Sequence, residues 1–313
     1  MLRSDEIRVA ICISTFRRRN LLRELLAGIA KLAFHKVTAP HVVVIVVDTP
    51  DEHGSAQEVC EAAALPWPLK YVIEPRRGLT YARNRAIAEA NEVDFIAFID
   101  DDETPSPGWL DELLWTQAEF AADAVAGPVV AQYSPGVADW IRAGGFHNSP
   151  FRPTGARCIT AATHNVLVGT HVLEKVPAFD DTFALSGAED TDFFLRVAQA
   201  GYKIIWCQNG IVFEHISAKR GTLRWILRRE YQTGNGWVFC EAIISPHARD
   251  RIFRLFKACG HMAIGAASTI WSSLRLDRTA LVSSLRRVTM GAGMLTALAG
   301  HRYLAYEQVD LEA

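Results

Sequence analysis

The 313-residue chain lacks any pair of cysteines close enough to make a C-x-x-C clip. Its six cysteines stand singly at 12, 60, 158, 207, 240 and 259, which excludes a zinc knuckle or dithiol redox motif and suits a reducing compartment. A basic excess is also missing. With 33 Lys and Arg against 35 Asp and Glu, the formal net charge is −2, and no nucleic-acid partner is expected. Low-complexity tracts and internal repeats are absent, and Gly (21) and Pro (13) are near ordinary usage. The opening MLRSDEIRVAICI carries Asp5 and Glu6 and no secretory core, so it reads as the approach to the first strand of a cytoplasmic domain. The uncharged stretches 258–274 and 288–300 fall short of the ~20 apolar residues that a membrane-spanning helix needs.

What is present is alternation. Apolar runs of strand length, IRVAICI (7–13), VVVIVV (42–47), LKYVIE (69–74), DFIAFI (94–99) and AVAGPVVAQY (124–133), are separated by helical patterns at 18–32, 78–91 and 108–120. Continuous apolar strands between helices predict an α/β fold with an open, mostly parallel sheet flanked by helices. Residues 134–170 read as an irregular region over the site. Then come a strand at THNVLV, a helix from about Glu189, strands at YKIIWC and GIVFEH, and an Arg- and Trp-rich helix over 220–234. In such sheets ligands bind at the carboxyl ends of the strands.

The densest polar chemistry lies at such ends. Asp100, Asp101, Asp102 and Glu103 directly follow the fourth apolar run. If the strand continues, alternation puts Asp100 and Asp102 on one side, where two carboxylates suit a hard divalent cation such as Mg²⁺ or Mn²⁺. No glycine or twelfth-position acid follows, so the cluster is not an EF-hand. A second acidic motif, SGAEDTDFFLRVAQAGY (186–202), opens a helix with Ser186 and Glu189 at capping-box spacing. Asp190 precedes Phe193, Phe194 and Val197 at i+3, i+4 and i+7, which aims it inward, whereas Asp192 falls off that stripe. The helix N-terminus favours an ionised Asp190, as a general base requires. Arg83 shares an apolar stripe with Leu79, Ala82, Ala86 and Ala90, so it faces an anion there, either a phosphate or a structural partner. Arg220 and Arg228 are candidate phosphate clamps.

The ordered series VAICISTFRRRNLL, a strand ending in Asp48, GLTYARNRAIAEA, FIAFIDDDE and GAEDTDFFLR resembles family 2 glycosyltransferases of the GT-A fold, over about residues 1–235. Within that family it resembles bacterial exopolysaccharide enzymes of the succinoglycan glucosyltransferase type. The resemblance implies an inverting, metal-dependent transfer from a nucleotide-sugar donor, with a UDP-sugar favoured, to an acceptor hydroxyl on a lipid-linked glycan. Carried over by motif, Asp100 and Asp102 match the metal-binding acids, and Asp101 lies near the ribose or the metal. Asp190 matches the general base with Glu189 beside it, Thr15 matches a nucleoside contact and Asp48 a base contact. His215 falls where some GT-A enzymes place a third metal ligand. Asn165 is a candidate contact of the donor sugar. The first turn departs from the family's usual Pro-Thr-Tyr-Asn-Arg: it reads Ser14-Thr15-Phe16-Arg17-Arg18, keeping an aromatic Phe16 to stack on a base but losing the Asn.

Two alternatives remain open at this point. A haloacid-dehalogenase-type phosphatase would use Asp100, Asp102 and Thr104, with Lys175 between its motifs, and a non-catalytic sugar-nucleotide binder would leave Asp190 idle. Two parts are expected, a catalytic domain over 1–240 and a helical region over 241–313. Between Ser245 and Arg302 nine basic residues face only Asp250 and Asp277, which leaves a surplus of seven positive charges. That asymmetry predicts amphipathic helices at an anionic membrane surface, with the chain peripheral on the inner face of the plasma membrane.

Overall fold

The computed structural model describes residues 7–51 and 54–305. The first half builds β1 (Arg8–Thr15), α1 (Arg19–Ile29), β2 (His41–Asp48), α2 (Gln57–Glu61), β3 (Leu69–Ile73), α3 (Leu79–Glu89) and β4 (Phe95–Ile99). These four strands are parallel, in the order β3-β2-β1-β4. Strand alternation sorts their side chains onto two cores. Val9, Ile11 and Ile13 pack with Leu22, Leu25 and Ile29 of α1 on one face. Ala10 and Cys12 pack with Ala82 and Ala86 of α3 on the other.

The middle of the chain adds β5 (Glu103–Pro105), α4 (Trp109–Phe120), β6 (Ala124–Ala126), β7 (Val129–Tyr133), α5 (Asp139–Gly144), β8 (Arg157–Cys158) and β9 (Asn165–Gly169). It then forms α6 (Glu189–Gln199), β10 (Ile204–Trp206) and β11 (Val212–Ile216). The main sheet reads β3-β2-β1-β4-β9-β6-β10-β8, with β9 antiparallel between β4 and β6, so it is mostly parallel as expected. A second sheet, β5-β11-β7, stands beside it. The single strand expected over 124–133 is therefore two strands in different sheets. The break falls at Gly127–Pro128. Pro128 has no N–H to donate, and a Cβ at Gly127 would lie 2.3 Å from the Gly210 carbonyl.

Phe193, Phe194 and Val197 of α6 join the same core as α3. Helices α3 and α6, distant in sequence, thus share one face of the sheet, with their N-terminal ends near the mouth of β4.

The chain closes with α7 (Leu223–Ile244), α8 (Ala248–Leu274) and α9 (Arg278–Leu298), with α9 packed between the other two. Helix α7 extends ten residues beyond the end at 234 that the sequence pattern gives, and it is continuous across the division expected after residue 240. The Thr222 hydroxyl accepts the Trp225 N–H at 3.2 Å, and the Asp277 carboxylate accepts the Ala280 N–H at 2.9 Å, so both helix starts are capped. The α7–α9 contact is close: a Cβ at Gly293 would lie 2.1 Å from the Tyr231 carbonyl.

Asp111 on α4, a residue the sequence pattern does not mark, is buried and accepts the backbone N–H groups of His35, Lys36 and Val37 at 2.9–3.0 Å. Replacing it by Ala orphans three donors. Asp111→Ala is expected to cost about 2–3 kcal/mol in urea unfolding, with the m-value unchanged.

Candidate active site

The β1–β2 register sets Thr15 beside Asp48, and the β1–β4 register, Cys12 opposite Phe98, brings Thr15 level with Asp101. Three polar residues therefore arrive at the carboxyl edge of three neighbouring parallel strands. The Thr15 hydroxyl donates to Asp101 Oδ2 at 2.8 Å. Asp48 Oδ2 accepts the Ala56 N–H at 2.6 Å and the Tyr71 hydroxyl at 2.7 Å, so this buried carboxylate anchors the end of β2.

β4 ends at Ile99, and the backbone turns at once: the Glu103 N–H donates to the Asp100 carbonyl at 3.2 Å. The alternation expected to pair Asp100 with Asp102 therefore stops before it reaches them. Instead Arg18 Nη1 bridges Asp101 Oδ1 at 2.9 Å and Asp102 Oδ2 at 3.0 Å, and Arg220 Nη1 donates to Asp102 Oδ2 at 2.8 Å. Arg220 also pairs with Glu214 on β11. Asp100 turns to Arg83 Nη2, 3.3 Å away.

Arg83 joins the two acidic motifs. Its side chain is only 4% exposed, and Nη1 donates to Glu189 Oε1 at the head of α6 while Nη2 faces Asp100. The Phe179 ring lies under its guanidinium at 5.8 Å. Arg83 was expected to meet a donor phosphate or a structural partner. Its buried place between two carboxylates makes it a strut, the structural partner of the two readings that the sequence left open. Glu189 is likewise buried and spent on Arg83, and no side-chain capping bond forms at the start of α6.

The capping box with Ser186 is therefore a correction. The Ser186 hydroxyl donates to the Gly187 carbonyl, and Ala188 takes a left-handed φ of 66°. A non-glycine residue there stores strain of about 1 kcal/mol. α7 holds the turn in place: Cys240 Sγ approaches the Ala188 carbonyl at 3.4 Å, and a Cβ at Gly236 would lie 2.6 Å from that of Ala188. Asp192, expected off the apolar stripe, is fully buried and paired with Arg196 at 2.8 Å. Asp190 is half-buried; its Oδ1 accepts the Thr191 N–H at 2.6 Å, and Oδ2 makes no hydrogen bond among the described residues.

Two more expectations change. Asn165 is 1% exposed; its Oδ1 accepts the Trp109 indole N–H at 2.8 Å, and its Nδ2 donates to the Pro128 and Gly210 carbonyls at 2.9 and 2.7 Å. It ties β9 to α4 and to the β6–β7 break, with no hydrogen left for a sugar. The His215 ring is exposed and bonds Ser134 Oγ at 3.0 Å. Alternation along β11 sends Glu214 toward Arg220 and its neighbour His215 the other way, so the ring does not join the carboxylates. Phe16 stays partly exposed with the Arg17 and Arg77 guanidiniums 4.9 and 5.6 Å from its ring. Arg228 lies half-buried on α7.

Sequence reasoning gave no role of their own to Arg18, Tyr71, Glu103 and Glu214. The Arg17-Arg18-Arg19 run directly after β1 was the available signal for Arg18, since an acid trio at a neighbouring strand end calls for counter-charge.

Burial sets the electrostatics. It pushes Asp101 up to about 6 against the pull of Arg18. It raises Glu103 well above the usual carboxylate range, helped by Asp100 and Glu214, and raises Glu189 against Arg83. Among the described residues no three His, Cys, Asp or Glu side chains already form a metal cage. The donors at this edge are nonetheless all oxygen, and desolvation holds Asp101 and Glu103 above the usual carboxylate range. Asp100 and Asp102 thus fit a hard divalent cation by chemistry.

Comparison with known proteins decides the class. Residues 10–181 match the glycosyl transferase family 2 pattern. The chain belongs to that family. It is 30% identical over 302 residues, 95% of its length, to the succinoglycan biosynthesis protein ExoM of Rhizobium meliloti, of which it covers 94%. It is 23% identical to the glycosyltransferase AglE of Haloferax volcanii over 74% of this chain and 73% of that protein. Among solved structures, a mannosyltransferase of Pyrobaculum calidifontis in complex with GDP-Man and Mn²⁺ aligns with a TM-score of 0.57 at 19% identity, covering 97% of this chain and 78% of that one. Residues 1–349 of S. aureus TarS in complex with UDP align with a TM-score of 0.52 at 17% identity, covering 95% and 93%. The fold is GT-A, and the family 2 chain is a glycosyltransferase. That sets aside both the phosphatase and the non-catalytic binder.

The carboxylate cluster makes stability depend on pH. Asp101 rises from 3.8 in the unfolded chain to about 6 in the folded one, so the folded state holds the extra proton in between. Stability contributed by this group therefore falls as pH rises through that window. Urea unfolding from pH 4 to 6.5 is expected to show wild type losing ground steadily to Asp101→Asn, and little further change above. Wild type gaining stability relative to Asp101→Asn over that range would contradict the assignment.

Proposed function

We propose that the chain transfers a sugar, with inversion, from a nucleotide-sugar donor, a UDP-sugar favoured, to a hydroxyl of a lipid-linked glycan in exopolysaccharide synthesis. It would work at the inner face of the plasma membrane. The observation that carries this reading is the Arg83 bridge. It holds Glu189, and hence its neighbour Asp190, against the same strand end that presents Asp100, Asp101 and Asp102. The relatives support the nucleotide donor, because UDP and GDP-Man are bound by two structural neighbours of this fold.

In this reading Asp190, with one oxygen free of hydrogen bonds among the described residues, takes the proton of the acceptor hydroxyl as that oxygen attacks the anomeric carbon. The bond from the anomeric carbon to the diphosphate breaks on the opposite side, which inverts the centre. Thr15, Phe16, Asp48 and Asp101 line the nucleoside end of the strand edge. Arg18 and Arg220, now on Asp102, and Arg228 bring positive charge to the diphosphate. Asp100 and Asp102 would hold a divalent cation, Mn²⁺ or Mg²⁺, which when bound stabilises the charge of the departing nucleoside diphosphate as a Lewis acid.

Asp190→Asn is expected to lower transfer by about 10²–10⁴-fold while leaving thermal stabilisation by the donor unchanged. Transfer of labelled sugar to a lipid extract at near wild-type rate would remove Asp190 from the role. Chelation with EDTA is expected to stop transfer and added Mn²⁺ or Mg²⁺ to restore it; full activity in EDTA would contradict the metal assignment.

A further inference from the structure

Helix α8 is the outer layer of the C-terminal helices. It turns Arg254, Ala258, Gly265 and Ser272 toward α7 and α9. Its opposite face carries Phe253, Phe256, Ile264, Ile270, Trp271 and Leu274, exposed by 69, 72, 55, 66, 59 and 75%. These positions fall on one side of the helical wheel and run most of the length of a 27-residue helix, about 40 Å. Single exposed apolar residues need no explanation, but a continuous stripe does.

The charge around the stripe identifies what covers it. No Asp or Glu occurs between Arg251 and Leu276. Arg249 and Arg251 stand exposed at one end of α8 and Arg275 at the other. A second copy of the chain would set two segments, each with a surplus of seven positive charges, against each other. An anionic lipid surface attracts the guanidiniums and receives the ring and branched side chains beneath its headgroups. Among the described residues no helix is long and apolar enough to cross a membrane, so the stripe suits a helix lying in the interface.

We propose that α8 docks the protein on an anionic membrane surface, with its apolar stripe toward the acyl chains and Arg249 and Arg275 at headgroup level. The inference deepens the proposed function and rests on it only for the lipid-linked acceptor. The docked layer reaches the reaction site through α9 and α7, since Gly236 of α7 seats Ala188, two residues before Asp190.

The test is flotation of the full chain with vesicles of phosphatidylcholine alone or mixed with phosphatidylglycerol, at low and high salt. Wild type is expected to float with the anionic vesicles at low salt, and to partition more than about tenfold less onto phosphatidylcholine or in high salt. The triple variant Phe253→Asp, Phe256→Asp, Trp271→Asp is expected to lose binding by the same factor with an unchanged melting temperature. If the triple variant fails to fold, the pair Arg249→Glu, Arg275→Glu leaves the stripe intact and is expected to weaken anionic binding. Wild type that stays at the bottom of the gradient, or variants that float as well as wild type, would overturn the proposal. So would light scattering that shows a dimer which the stripe variant dissolves, because the face would then belong to a second copy. Donor-induced thermal stabilisation, read on the same samples, reports on the transfer reading separately and is expected to be equal in every variant.

Discussion

A guanidinium taken out of water needs anions around it, and Arg83 finds them from two directions. Glu189 comes from the head of α6 and Asp100 from the end of β4, two segments nearly ninety residues apart in sequence. Removing Arg83 would leave the buried Glu189 carboxylate without its ion-pair partner, a loss typically of about 3–5 kcal/mol. This constraint makes the site a consequence of the fold. α3 and α6 pack on the same face of the sheet, which lets the arginine of one meet the acid of the other, and Asp190 follows that acid at the head of α6.

The same accounting of charge runs along the whole edge. Asp101, Asp102, Glu103 and Glu214 are crowded where water is largely excluded, and Arg18 and Arg220 answer part of the resulting repulsion. Burial still holds Asp101 and Glu103 above the usual carboxylate range. The crowded acids and the left-handed turn at Ala188 are both local costs of folding. Both features lie where function, rather than stability, sets the residue.

The first half of the sheet was legible because β1, β2 and β4 are built on unbroken apolar runs, and β1 to β4 appear where the strand patterns stand. Helix α6 begins at Glu189, as the stripe of Phe193, Phe194 and Val197 implies. What was not legible depends on partners that sequence spacing does not show. The Ser186–Glu189 spacing promises a capping box, but a buried Arg83 outbids the backbone for the glutamate. The Asp100 and Asp102 alternation holds only while a strand continues, and here the chain turns after Ile99. Asn165 reads as a free polar group beside the site until Trp109, Pro128 and Gly210 are found around it. The sequence predicts amphipathic helices over 245–302, but which face of α8 lies bare among the described residues is set by its packing on α7 and α9.

The central claim is that Arg83 and Glu189 act as one unit which sets Asp190 against the acid cluster. A double-mutant cycle on the rate of sugar transfer, with Arg83→Met and Glu189→Gln made singly and together, tests it most directly. If the account is right, the double variant is no slower than the slower single variant, because either change already breaks the unit. Losses that multiply, each substitution slowing transfer by its own factor regardless of the other, would contradict it.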